Sequence, residues 1–128
     1  MTDRVAPKPS DISREFWTAA QDGEFLLQYD AQSGRSQFYP RPVNLFGESK
    51  TNSKAAAGSG TLVAVTTVRT PVPGITSPYL VGIVRLDEGP RVFARLLNAA
   101  PGIAPGHRMK LAWQAEEGET RLYAFAPA

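Results

Sequence analysis

From Gly60 onward the chain is cut by glycine, proline and acidic turns into five strand-like runs, and that punctuation leaves few folds open. The runs are "TLVAVTTVRT", "PYLVGIVRLD", "RVFARLL", "RMKLAWQAE" and "TRLYAFA". They read as successive strands, and five strands suggest a small barrel. "LDEGPR" reads as a tight hairpin in which Gly89 can take positive φ, and "TPVPGITSP" as a longer, proline-stiffened loop. "NAAPGIAPGHR" leaves room for one turn of helix, which its prolines limit. Five short strands with a long third connection describe an OB-like Greek-key barrel better than a sandwich of seven or more strands.

The N-terminal part follows a different pattern. Residues 1–10 are polar, carry Pro7 and Pro9, and read as a flexible arm. Ser10 or Asp11 can cap a helix over 11–22. Asp11 and Glu15 place negative charge in its first turn, Ile12, Phe16, Trp17 and Ala20 form its apolar face, and Gly23 suits its C′ position. "EFLLQYD" and "RSQFYPRPV" then flank "AQSG", whose Gly34 can make the turn of a hairpin, while Pro40 and Pro42 end the second strand. "GESKTNSKAAAGSG" is small, polar and almost without large apolar residues, so it reads as a loop or linker. The expected organisation is an arm (1–10), a helix-plus-hairpin subdomain (11–58) and a barrel (59–128), a mainly β chain.

Composition narrows the chemistry. The 128 residues fit one compact unit, and with 42% hydrophobic and 20% charged residues the chain should bury a core. There is no cysteine, which excludes disulfides, thiolate catalysis and thiolate-bound metal, and a single histidine, His107. No apolar stretch approaches the roughly 18 residues of a membrane span, and the first residues lack a signal-peptide core, so the expected compartment is the cytoplasm. Net charge is only +2, yet between residues 31 and 60 Arg35, Arg41, Lys50 and Lys54 face Glu48 alone, making that segment the candidate anion-facing region.

The order "FWTAAQDGEFLLQYD", "SGRSQFYPRPV", "GSGTLVAVTTVRTPVPG", "SPYLVGIVRLDEGPRVFARL", "PGHRMKLAW" and "YAFAPA" resembles the acyl-CoA-associated OB-fold family, in which a helix and a rubredoxin-like zinc ribbon precede the barrel. The resemblance runs from about Phe16 to the end. Aligned on Gly34 and on Arg41, Pro42 and Val43, it puts Asp30, Ser33, Asn44 and Gly47 at the four ribbon positions that the family usually fills with cysteine. One carboxylate, a hydroxyl, an amide and a glycine do not make a structural zinc site, so no zinc and no tightly bound cofactor are expected. The resemblance implies a non-catalytic subunit that binds acyl-CoA, or completes its site, beside a thiolase-like, aldolase-like or hydratase-like enzyme. Arginines for phosphate and aromatic faces for adenine or acyl contact would suit that ligand, and the candidates are Phe16, Trp17, Arg35, Phe38, Tyr39 and Arg41.

Each candidate has a structural alternative. Phe16 and Trp17 are adjacent on a helix and cannot make the same core contact, and packing is the commoner use of both. Phe38 and Tyr39 should face opposite sides of a strand, the outward one being the functional candidate. Arg41 sits between prolines, on a stiff backbone. His107 reads as a turn residue, and Asp87 with Glu88, like Glu116, Glu117 and Glu119, as solvated turn charges. "GSG" leads into a strand and matches no phosphate loop. Trp113 can serve a core or an interface. The rival function is a single-stranded nucleic-acid binder of the OB type, disfavoured because Tyr79, Phe93, Trp113, Tyr123 and Phe125 look spread through core positions. An independent enzyme ranks last, for want of a catalytic set. Strand edges leave a homo-oligomer as an open expectation.

Overall fold

A computed structural model describes residues 8–73, 75–117 and 120–128, apart from the side chains of 115–117 and 120. Most of the expected N-terminal arm and the acidic side chains at 116, 117 and 119 therefore lie outside the described residues. Helix α1 spans Arg14–Gln21 and strands follow as β1 Leu26–Asp30, β2 Ser36–Gln37, β3 Thr51–Ala55, β4 Ser59–Val68, β5 Tyr79–Leu86, β6 Arg91–Leu96, β7 Arg108–Glu117 and β8 Thr120–Pro127. Strands β4 to β8 close into a barrel of order β4-β5-β6-β8-β7, while β2-β1-β3 form a separate small sheet. The barrel is the OB topology expected from the five runs: one hairpin meander, a parallel contact between β6 and β8 at Leu96 and Phe125, and closure of β7 onto β4. The connection at 97–107 holds turns only.

Three local expectations need correction. The helix begins at Arg14, because residues 11–13 form a turn that Ser10 caps: its hydroxyl accepts the Ser13 N–H, and the Ser13 hydroxyl accepts the Ser10 N–H. The far end closes as expected, with Gly23 at φ 79° and the N–H groups of Gly23 and Glu24 bonded to the carbonyls of Ala20 and Ala19. The second hairpin strand is only two residues long, since the prolines after Phe38 end its pairing, and Phe38 and Tyr39 lie beyond it. The linker contains β3, which pairs with β1 over five residues. Backbone pairing needs no apolar side chain, and at this sheet edge Asn52, Ser53, Lys54 and Ala55 face solvent.

The barrel core is built by alternation. Val92, Ala94 and Leu96 of β6 point inward with Leu62, Val84, Leu86, Met109 and Phe125. Space is tight: a Cβ on Gly82 would lie 2.6 Å from the Ala64 carbonyl oxygen, where β4 bulges between Leu62 and Ala64. Glycine lets the two strands approach.

A single aromatic cluster fastens the small sheet and helix to the barrel. Phe16 of α1, Phe25 ahead of β1, Phe38 after β2 and Tyr123 of β8 meet at centroid distances of 4.9–6.0 Å, mostly edge to face. Polar links add to it: Ser36 Oγ donates to the Glu88 carbonyl at 3.0 Å, and the Ala57 N–H donates to Glu88 Oε2 at 2.7 Å. Ser53 Oγ likewise donates to Glu15, tying β3 to the helix.

Candidate functional site

Asp30, Ser33 and Asn44, three of the four positions aligned with ribbon ligands, come together at the end of β1. Asp30 is buried, and its carboxylate accepts from Ser33 Oγ–H, Ser33 N–H (3.1 Å), Gln32 N–H (3.4 Å) and Asn44 Nδ2 (2.9 Å). Asn44 also donates to the Ser49 carbonyl and accepts from the Phe46 N–H. Hydrogen bonds from Ser33 and then Asn44 hold the Asp30 carboxyl at about 2, below its ordinary value of 3.8. The fourth position, Gly47, makes no comparable contact and has open space where a Cβ would be. The one carboxylate of this set is already taken by four protein donors, and a hydroxyl, an amide and a glycine beside it match the ligands of a structural zinc site poorly.

A second polar knot shapes the loop from 38 to 46. Gln28 Nε2 donates to the Arg41 carbonyl and its Oε1 accepts the Arg41 N–H, both at 2.9 Å. Buried Gln37 donates through Nε2 to Gln28 Oε1 and to the Val43 carbonyl, and accepts the Leu45 N–H at 2.9 Å. Two amide side chains thus hold the backbone of three alternate residues, Arg41, Val43 and Leu45. The side chains so displayed include Tyr39, Val43 and Leu45, 45–59% exposed, and Arg41, also turned to solvent. An exposed apolar loop held in one conformation is suited to contact with another surface, because little ordering remains to be done on binding.

The other expected site residues separate by burial. Phe16 is buried in the aromatic cluster, Trp17 is half-buried and stacks on Tyr123 at 6.2 Å, and of the adjacent pair Phe38 faces in while Tyr39 faces out. Arg35 lies over the Phe46 ring, 4.1 Å from its centroid. Arg35, Phe38, Leu45, Phe46, Glu88 and Pro90 border a cavity of about 370 Å³ between the small sheet and the β5–β6 turn. Glu88 Oε1 is buried there without a partner among the described residues. His107 is an exposed turn residue, and Asp87 forms a two-pronged pair with Arg108 at 2.8 Å that lowers the Asp87 pKa. Trp113 is half-buried under Arg121, 5.3 Å from the ring centroid.

Phe93, expected in the core, is 56% exposed, because β6 alternates and its inward places belong to Val92, Ala94 and Leu96. It borders a groove of about 330 Å³ between the 69–78 loop and strands β5 to β8, whose walls also include Ile75, Tyr79, Arg95, Leu122 and Tyr123. The signal was present in "RVFARL": an aromatic residue with arginine two places away on either side has the parity of the outer face. Tyr123 joins the groove to the aromatic cluster, and burial, with Tyr39 beside it, raises its phenol pKa.

The comparisons agree with this architecture. The family model of the ChsH2 C-terminal OB-fold domain matches residues 53–114. A DUF35 domain-containing scaffold protein of Pyrococcus furiosus is 30% identical over 97 residues, covering 73% of this chain and 71% of that protein. A protein of Thermomonospora curvata described as an enoyl-CoA hydratase alpha subunit is 30% identical across 97% of this chain, which spans only 40% of that relative. Among solved structures, a chain of the Ltp2-ChsH2(DUF35) aldolase superposes with a TM-score of 0.87 at 26% identity, over 95% of this chain and 98% of that one. Barrel, helix and small sheet are thus shared together, and the chain belongs to the DUF35 family of acyl-CoA-associated OB-fold proteins.

Proposed function

We propose that this protein is a non-catalytic accessory subunit that binds an acyl-CoA, or completes its site, beside a partner enzyme of the thiolase-like, aldolase-like or hydratase-like kind. The observation that carries the reading is the superposition of nearly the whole chain on a chain of an aldolase whose name includes DUF35. The names of the two sequence relatives, a scaffold protein and a hydratase subunit, point the same way. The clamped loop with Tyr39, Val43 and Leu45 outward supplies a surface for the enzyme, and the Arg35 cavity next to it supplies a cation and aromatic faces for the coenzyme. Asp30, Ser33 and Asn44 make the small sheet independent of zinc, which metal analysis of protein purified without added zinc should find below stoichiometric. Calorimetry with acetyl-CoA and a longer acyl-CoA, with and without the partner, tests the main reading. It predicts saturable binding in at least one of the two states and no turnover by the isolated chain. Absence of binding in both states, or turnover by the chain alone, contradicts it.

A further inference from the structure

The groove on the barrel has a composition unlike that of the Arg35 cavity. Val72 and Ile75, held together as a bridge in the 69–78 loop, form one wall, and Val81, Phe93 and Leu122 form the other. Its charged group among the described residues is Arg95. Arg95 and Phe93 lie two residues apart on the outer face of β6, and Arg95 stands opposite Val81 in the strand register. Its guanidinium sits 5.6 Å from the Tyr79 ring centroid, and Nη1 donates a long 3.4 Å hydrogen bond to Gln114 Oε1. Nε is buried and has no partner among the described residues. A buried guanidinium N–H without an acceptor is costly, so the arginine retains unused capacity for an oxygen. A volume of about 330 Å³ lies at the small end of the range for small-molecule sites. Aliphatic and aromatic walls with one cation at the side suit an apolar chain ending in an oxygen acceptor. They suit a polyanion poorly, because a nucleic-acid track needs a series of cations.

We infer that this groove binds the apolar chain of a carboxylic-acid derivative, with Arg95 meeting the carbonyl or carboxylate oxygen at its polar end. The inference rests on the acyl-CoA reading for the source of such a chain, and it assigns the acyl portion to the barrel while the Arg35 cavity remains for the coenzyme. A free carboxylic acid and an acyl thioester share this chemistry, so both are measured.

The test is calorimetry on the full chain, alone and with its partner enzyme, using decanoate, decanoyl-CoA and CoA without an acyl group. The variants are Phe93→Asp, Ile75→Asp and Arg95→Met, each checked by thermal melting; Phe93 is solvent-exposed and Ile75 is in a loop, so two variants spare the core. Decanoate, decanoyl-CoA or both should bind. Phe93→Asp and Ile75→Asp should each weaken that binding by about tenfold or more, because a charge is placed where the chain must lie. Arg95→Met should weaken decanoate more than it weakens CoA, and CoA alone should be indifferent to all three changes. Decanoyl-CoA affinity unchanged in both aspartate variants would overturn the groove assignment and leave the acyl-CoA reading standing. Loss of the partner enzyme in Phe93→Asp with unchanged decanoyl-CoA affinity would give the groove to a protein surface and overturn it as well. Failure of all three ligands to bind in either state would remove the inference and the acyl-CoA reading together.

Discussion

Asp30 shows how one buried carboxylate can fix a turn. Four donors surround its carboxylate, and together they fix the turn after β1 and, through Asn44, the start of the return toward β3. Its folded pKa of about 2 lies below the ordinary 3.8, so its contribution is complete above pH 4 and is lost as pH falls through about 2. Amide exchange in residues 31–50 should therefore be flat from pH 7 to 4, after correction for intrinsic rates, and accelerate below that while the barrel stays protected. Equal loosening of both parts would contradict the assignment. Gln37 acts similarly on the clamped loop. Gln37→Leu keeps the volume but leaves the Val43 carbonyl and the Leu45 N–H without their partner. It should cost about 1 kcal/mol per group in chemical denaturation, and by loosening the loop it should weaken partner binding more than it lowers stability.

The elements differ in how far the sequence disclosed them. The barrel strands were legible because each combines apolar residues with turn chemistry at both ends. Strand β3, Thr51–Ala55, was not: it has no buried side chain to create a period, and its pairing to β1 is a backbone property. The groove is hidden in the sequence for a related reason: the type of Phe93 points to the core, whereas its parity in β6 points to the surface, and the structure follows parity. The polar knots were half legible. Alignment brought Asp30, Ser33 and Asn44 into view as a group, but their mutual hydrogen bonds depend on a fold that spacing alone does not specify. Arg35, Phe38 and Tyr39 are close in sequence, yet their settings differ: Arg35 lies over a ring, Phe38 packs against the core, and Tyr39 is half-exposed with its ring 4.3 Å from that of Phe38. Gly82 gives an element-level test. Gly82→Ala forces a methyl against the Ala64 carbonyl, a backbone group that cannot move aside, and should destabilise the barrel by about 1–3 kcal/mol in denaturant titration.

At the scale of the whole molecule, a barrel and a small sheet share one aromatic cluster with Phe25 at its centre, fully buried and in ring contact with Phe16, Phe38, Tyr123 and Phe125. Phe25→Ala should cost about 3–5 kcal/mol and separate the unfolding of the sheet from that of the barrel; calorimetric melting should change from one transition to two. The same construction bears on function. The clamped loop lies on the sheet, the acyl groove lies on the barrel, and Tyr123 touches both the cluster and the groove, so a partner seated on the loop would lie on the same assembly that holds the chain. No helix among the described residues is long and apolar enough to cross a membrane. The most direct test of the central claim is to purify the full chain from its own cells, identify the protein that co-elutes, and assay that protein on acyl-CoA with and without the chain. The account predicts a stoichiometric acyl-CoA enzyme whose activity falls when the chain is removed, with none in the chain alone; an isolated chain that turns over acyl-CoA, or that co-elutes with no such enzyme, would contradict it.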